Sequence, residues 1–211
     1  MGTVKRKLSL LLLGLFCFDG LSAIADEQQI RNLETALLDA DRVQLQFTVT
    51  STGAVETELS GFLIFRGDDE VSLEASGEFA GNEVELKLAT MAGEMHYGLR
   101  SNPATDAIPS QLKASVLIGL VRMGILHNLA MLSAGAAPDH AEGGVEEWVQ
   151  INDFSEPDTD AVAFAITIAG QPSGNATLLF ESDQLVRRLQ TVEFAEGAMQ
   201  VTEEYRGFSI R

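Results

Sequence analysis

Cysteine is almost absent from this sequence, which has a single one, Cys17, in 211 residues. One cysteine cannot build an internal disulfide framework or a cysteine-rich zinc site. Basic residues are also scarce, with 14 Lys and Arg against 31 Asp and Glu. Nucleic-acid binding needs clustered basic residues to contact phosphates, so this composition excludes a nucleic-acid partner. Stability must come from a packed core, for which the 45% of apolar residues is sufficient.

Catalytic signatures are missing as well. The sequence has no Gly-x-Ser-x-Gly motif, and its three histidines, His96, His127 and His140, lie far apart. The acidic residues are scattered, and no pair stands out as a general acid and base. The run Asp139-His140-Ala141-Glu142 lacks the helical histidine pair typical of metal sites. We therefore predict no enzyme, no cofactor and no metal.

The first 25 residues have the features of a secretory signal peptide. A basic segment, an apolar segment and a small-x-small cleavage site follow one another at residues 5–7, 8–18 and 23–25. The apolar segment is shorter than the ~20 residues that span a bilayer, although an uncleaved anchor is an alternative. A bulky residue precedes Cys17, which disfavours a lipoprotein cleavage site. We expect cleavage after Ala25.

Cleavage would leave residues 26–211 as a single domain without cysteine. The leader, residues 1–25, holds three of the 14 basic residues and only one of the 31 acidic residues, so the mature chain is the more acidic. We predict an exported protein, periplasmic if the source is a diderm bacterium. No transmembrane span is expected after signal cleavage.

A short helix and a series of strands are predicted next. Apolar residues recur at helical spacing over Asp26 to Asp41. Alternation of apolar and polar residues then predicts five strands in an antiparallel meander, with one apolar and one solvent-exposed face. Their apolar positions lie within residues 43–49, 55–65, 71–75, 84–88 and 95–99. Residues 100–110, which contain Pro103 and Pro109, are expected to form a loop.

One long helix is predicted from about Gln111 to Ser133, with Ser110 as its N-cap. Apolar residues occupy nearly its whole circumference, so it is expected to be buried or to cover an apolar cavity. Charged residues such as Lys113 and Arg122 interrupt the apolar run, which disfavours the alternative of a transmembrane helix.

A second meander is predicted after a small-residue loop at 135–144. Its strands are expected near residues 145–151, 162–168, 176–181, 185–194 and 199–208, with polar turns near 156–158, 170–174 and 181–184. The whole pattern predicts roughly ten strands, one short helix and one long apolar helix between two meanders.

Four stretches of the chain carry a resemblance to a known family. They are Val43-Gln44-Leu45-Gln46-Phe47-Thr48-Val49-Thr50, Gly61-Phe62-Leu63-Ile64-Phe65, Leu185-Val186-Arg187-Arg188 and Tyr205-Arg206-Gly207-Phe208-Ser209-Ile210. In these stretches and in the order of its elements, the sequence resembles the periplasmic lipoprotein carriers of the LolA/LolB type and the exported proteins of the DUF2092 kind.

This resemblance implies an α+β fold. It would be a curved, incompletely closed antiparallel β-sheet, or half-barrel, of about ten strands, with the short N-terminal helix and the long apolar helix on its concave face. The space under the helix would then hold a lipid, an acyl chain, another apolar ligand or the lipid of a lipidated protein. The residues expected to line it are Leu45, Phe47, Leu63, Phe65, Leu86, Leu88, Leu117, Leu120, Met123, Phe164 and Ile166.

Arg122 completes this set as a polar contact. At a cavity mouth it would meet a lipid carboxylate or phosphate. Alternatively its guanidinium reaches solvent or pairs with an acid of the chain. The apolar residues are equally explained as ordinary core. Two functions stay open: a binding protein for an apolar ligand, or an exported structural or interaction module with a filled core and an envelope-protein partner.

Overall fold

The computed structural model describes residues 19–136, 144–158, 160–194 and 197–211. Four helices lie in these residues: α1 Asp19–Asp39, α2 Leu112–Arg122, α3 Ile125–Ser133 and α4 Val145–Trp148. Eleven strands accompany them: β1 Arg42–Gly53, β2 Thr57–Arg66, β3 Glu70–Phe79, β4 Asn82–Met91, β5 Glu94–Leu99, β6 Asn102–Ala107, β7 Val149–Asp158, β8 Ala161–Ile168, β9 Gln171–Glu181, β10 Gln184–Phe194 and β11 Gly197–Ile210.

All eleven strands belong to one antiparallel sheet made of two meanders. The first strand joins the meanders, because β1 pairs with β2 on one side and with β11 on the other. The resulting order is β6-β5-β4-β3-β2-β1-β11-β10-β9-β8-β7. Within the described residues β6 and β7 have a partner on one side only, so the sheet is not closed. The predicted open antiparallel sheet is confirmed, with eleven strands instead of about ten.

Strict alternation divides the sheet into two faces. On β1 the residues Val43, Leu45, Phe47 and Val49 are at most 2% exposed, and their even-numbered neighbours lie on the opposite face. We call the buried side the inner face and the opposite side the outer face. The apolar residues of α1, α2 and α3 join the inner-face residues in one core cluster. The helices therefore cover the inner face.

The single long helix predicted from Gln111 to Ser133 is wrong, because the structure has two helices, α2 and α3, in its place. Met123 and Gly124 separate them. Gly124 has a φ of +88°, in the left-handed region that favours glycine. The burial expected for the apolar segment is nevertheless present, since every residue of α2 except Ala114 is buried.

Three further boundaries differ from the prediction. Asn102–Ala107, expected in a loop, forms the edge strand β6, where a proline is tolerated because one side of the strand needs no donor. Val145–Trp148 forms a helical turn and not the start of a strand. The expected turns at 156–158 and 170–174 lie partly or wholly inside strands β7 and β9.

The first helix also has different limits. The sequence predicts it over Asp26 to Asp41, whereas α1 runs from Asp19 to Asp39 and begins inside the segment predicted as a leader. Its residues Ile30 and Leu37 are fully buried against the rest of the core.

A glycine on β2 leaves room for an aromatic ring on the inner face. Gly61 on β2 lies opposite Phe47 on β1 and Ala75 on β3. A Cβ at this position would overlap the carbonyl oxygen of Glu74 and would lie 2.7 Å from Cζ of Phe47. The ring of Phe47 therefore occupies the space that a side chain of Gly61 would need.

We predict that Gly61→Ala destabilises the protein by about 2 kcal/mol, because the added methyl group overpacks the sheet against a backbone oxygen that cannot rotate away. Urea denaturation followed by circular dichroism measures the change. Ser60→Ala is the control, since this neighbour faces outward and is exposed, and it should change stability by less than about 0.5 kcal/mol. Equal stability of the two variants would contradict the packing explanation.

Candidate functional site

The apolar residues predicted to line a ligand cavity come together on the inner face. They lie on β1, β2, β4 and β8, on α2 and at the break after α2, and all of them belong to one core cluster. None is more than 3% exposed. Side chains with so little accessible surface fill the space that they enclose. The site is thus a closed apolar interior between sheet and helices.

Arg122, the predicted polar contact, is buried and paired within the chain. Its Nε and Nη2 donate to the two carboxylate oxygens of Glu34 on α1, at 2.6 and 2.9 Å. Its Nη1 donates to the carbonyl oxygens of Val149 and Glu146, at 2.8 and 3.3 Å. This side chain therefore connects α2 with α1, α4 and the start of β7. A bidentate arginine–carboxylate pair fixes orientation as well as distance.

A second buried arginine holds the C-terminal end of α2. Arg188 is on β10 and 0% exposed. Its Nη2 donates to the carbonyl oxygen of Arg122 at 2.8 Å, and its Nε points at the carbonyl oxygen of Val121 at 3.4 Å. The last carbonyls of a helix lack hydrogen-bond donors within it and carry a partial negative charge. A guanidinium group there supplies the missing donors and a compensating positive charge.

A buried carboxylate holds the N-terminal end of α3. Glu203 on β11 is 0% exposed and accepts hydrogen bonds from the backbone N–H groups of Ile125 and Leu126, at 3.0 and 2.9 Å. The hydroxyl of Tyr205 donates to the same carboxylate. A negative charge suits the positive end of a helix dipole. Glu203 thus provides the cap that the residue preceding α3, a glycine, has no side chain to provide.

The two charged residues act on one junction. Arg188 and Glu203 are directly opposite each other in the pairing of β10 with β11. We call them the hairpin clamp, because one binds the end of α2 and the other the start of α3. Gly124 lies between the helices and against both: a Cβ there would overlap Oε1 of Glu203 and approach Nη1 of Arg188 to 2.8 Å. Glycine is needed at this position for room as well as for its φ.

The sequence contains one signal for this clamp. Glu203 has the same strand parity as Val201 and Tyr205, both buried, so a charge falls in a row of core positions. A charged residue in such a row needs a buried partner. The register of β10 with β11, which is continuous from Arg187 to Phe194, supplies that partner as Arg188.

Metal and membrane features are absent from the part of the chain that the structure describes. No group of three His, Cys, Asp or Glu there is arranged to hold a metal ion. None of the helices there is long and apolar enough to cross a membrane. The run from Asp139 to Glu142 lies outside the described residues.

Comparison with known proteins gives similarity of structure only. No protein-family model and no curated protein matches the sequence. Among solved structures, LprF from Mycobacterium bovis is 12% identical, with a TM-score of 0.41, and the match covers 90% of this chain and 97% of that one. The Mycobacterium tuberculosis lipoprotein LppX is 13% identical, with a TM-score of 0.41, covering 90% of this chain and 100% of that one.

A LolA superfamily protein from Nitrosomonas europaea also matches, at 8% identity and a TM-score of 0.41, over 88% of this chain and 93% of that one. The superfamily that the sequence pattern resembles is thus represented among the structures that match.

The hairpin clamp should be essential for stability. We predict that Glu203→Gln lowers the free energy of unfolding by about 3 kcal/mol, because it leaves the buried Arg188 without a compensating charge. Glu204→Gln is the matched control. Glu204 follows Glu203 in the chain and pairs with Arg187 at 3.1 Å near the surface, so this substitution should lower the free energy of unfolding by less than about 1 kcal/mol. Urea denaturation of both variants measures the difference, and equal losses would contradict the assigned role.

Stability should also depend on Tyr205 at alkaline pH. Burial, and next the Glu203 carboxylate, raise the pKa of the Tyr205 phenol well above its ordinary value of 10.0. Above pH 10 the unfolded chain releases this proton while the folded chain keeps it, so stability falls as the pH rises. We predict that Tyr205→Phe flattens this fall by about 1.4 kcal/mol per pH unit. Thermal denaturation between pH 9 and 11 tests it; parallel curves for both proteins would contradict it.

Proposed function

We propose that this chain is an exported binding protein for a lipid, an acyl chain or another apolar ligand, held between the inner face of the sheet and helices α2 and α3. The observation that carries this proposal is the lining: eleven apolar side chains from four strands, α2 and the break after it, in one continuous cluster. The sheet is open between its edges, so helices and not strands cover this interior.

A ligand would have to take space that the helices now fill. The proposed movement separates the α2–α3 pair from the sheet, with Gly124 at the break absorbing the change. The directional contacts to be given up at this junction are those of the hairpin clamp with the helix ends. Each ligand methylene that replaces an apolar helix contact keeps about 0.8 kcal/mol of burial.

Arg122 does not form a preformed site for a ligand headgroup. Its guanidinium is bound to Glu34 while the interior is closed. Separation of α1 from α2 would release it for the carboxylate or phosphate of a ligand. The anionic headgroup of the ligand would then take the place of the Glu34 carboxylate at the same guanidinium N–H donors of Arg122.

Binding of a fluorescent polyene fatty acid, cis-parinaric acid, to lipid-free protein tests the proposal. We predict saturable binding, one molecule per chain, that palmitate displaces. Glu203→Gln should raise the apparent affinity about tenfold, because a loss of about 1.4 kcal/mol in the closed form relative to the open form, smaller than its loss relative to the unfolded chain, increases the competent fraction tenfold. Glu204→Gln, which leaves the clamp intact, should bind like the parent.

The opposite result would favour the second function. A structural or protein-interaction module with a permanently filled core is supported by the burial of every candidate lining residue. In that case neither the parent nor Glu203→Gln would bind the probe saturably, and no lipid would co-purify with the protein in mass spectrometry. Binding that is equal in the two glutamine variants would leave ligand binding in place and reject the clamp as its gate.

A further inference from the structure

A groove crosses the outer face of the sheet, on the side opposite the helices. It has a volume of about 510 Å³ and runs across β11, β1, β2, β3 and β4. Its floor is the backbone of an in-register row of inner-face positions, Phe47, Gly61, Ala75 and Leu86. The groove therefore runs at right angles to the strands.

Two cross-strand rows of outward side chains form its walls. Strand registers place Glu204, Thr48, Ser60, Ser76 and Glu85 side by side in the first row. The same registers place Arg206, Gln46, Phe62, Glu74 and Lys87 in the second row. The rows flank the floor along its whole length, one residue from each strand.

The groove continues past β11. A second depression of about 250 Å³ is lined by residues of β8, β9, β10 and β11 together with Asp158 and Asp160, and it shares Glu204 and Arg206 with the first. Neighbouring strands are about 4.8 Å apart, so a path over these strands suits a long, narrow ligand with several repeating units.

The floor offers no free backbone groups to a ligand. Strands β11, β1, β2 and β3 are each paired on both sides, so their N–H and C=O groups are used in the sheet. A peptide could not add to the sheet here as a further strand, because that mode needs an exposed edge. Recognition in this groove must use side chains.

The side chains change in character along the groove. Over β1 and β2 they are neutral: the hydroxyls of Thr48 and Ser60, the amide of Gln46 and the partly exposed ring of Phe62, whereas β3 contributes the hydroxyl of Ser76 and the carboxylate of Glu74. Charged pairs stand towards both ends, with N–O distances of 3.0 Å for Lys87–Glu74, 3.2 Å for Arg100–Glu85 and 3.1 Å for Arg187–Glu204.

We propose that this groove binds an extended, neutral, β-1,4-linked oligosaccharide. The length of one pyranose unit in such a chain is close to the spacing of strands, about 4.8 Å, so successive sugars would meet successive pairs of wall residues. The ring of Phe62 presents an apolar face to the C–H face of a sugar. Carboxylates and guanidinium groups bind neighbouring hydroxyls in pairs, and the hydroxyl and amide side chains supply both donors and acceptors.

Calorimetric titration with cellohexaose and with N-acetylchitohexaose tests the proposal. We expect saturable binding of at least one of them to the parent. Phe62→Ala should weaken that binding at least tenfold, and so should Ser60→Glu, which places a charge in the neutral centre. Leu189→Ala is the control: Leu189 is a 40% exposed apolar residue of the outer face that does not line the groove, so its removal should leave binding unchanged.

Thermal denaturation shows whether each variant is folded, and only folded variants are compared. No saturable heat with either sugar at millimolar concentration would overturn the proposal. Equal binding by the parent, Phe62→Ala and Ser60→Glu would overturn it too, because the sugar would then lie elsewhere. Binding of an extended hexapeptide in the groove, without binding of the sugars, would assign the site to a different class of ligand. This site is independent of lipid binding on the inner face.

Discussion

The helices depend on one pair of buried charges, Arg188 and Glu203. The clamp pairs a positive group with the end of α2 and a negative group with the start of α3. Burying two charges is costly, and the cost is offset only where further hydrogen bonds satisfy them. Here the unpaired backbone groups of two helix ends supply those bonds. The break at Gly124 and the charges on the neighbouring strands therefore require each other.

Two kinds of interaction hold the helices on the sheet: apolar burial and directional contacts between charged groups. The apolar cluster provides most of the stabilising free energy. It does little to orient the helices, because the free energy of hydrophobic burial depends on the area buried and not on direction. The clamp and the Arg122–Glu34 pair determine where the helices lie on that surface. Such a division gives the helices a definite position on a surface that by itself has little directional preference. For this reason the proposed opening for a ligand moves the helices and not the sheet.

Local pattern predicted the sheet well and the helices less well. Alternation placed β1 to β5 because each inner position repeats at every second residue. The break at Gly124 was missed because a glycine inside a helical pattern costs only about 1 kcal/mol and is often tolerated. Strand β6 was missed because Pro103 is typical of loops. The clamp was missed because the bulge in β10 between Leu185 and Arg187 changes the parity of that strand, so alternation counted from the buried Leu185 puts Arg188 on the outer face.

The two proposed sites share one row of backbone, so the choice of residue decides whether a substitution affects one site or both. Phe47, Ala75 and Leu86 direct their side chains into the core, while their backbone and that of Gly61 form the floor of the outer groove. A substitution in that row would act on both faces, because its side chain belongs to the core and its backbone to the groove. Outward residues such as Phe62 and junction residues such as Glu203 touch only one of the two sites. Because alternation separates these sets, each face can be altered while the other is kept intact.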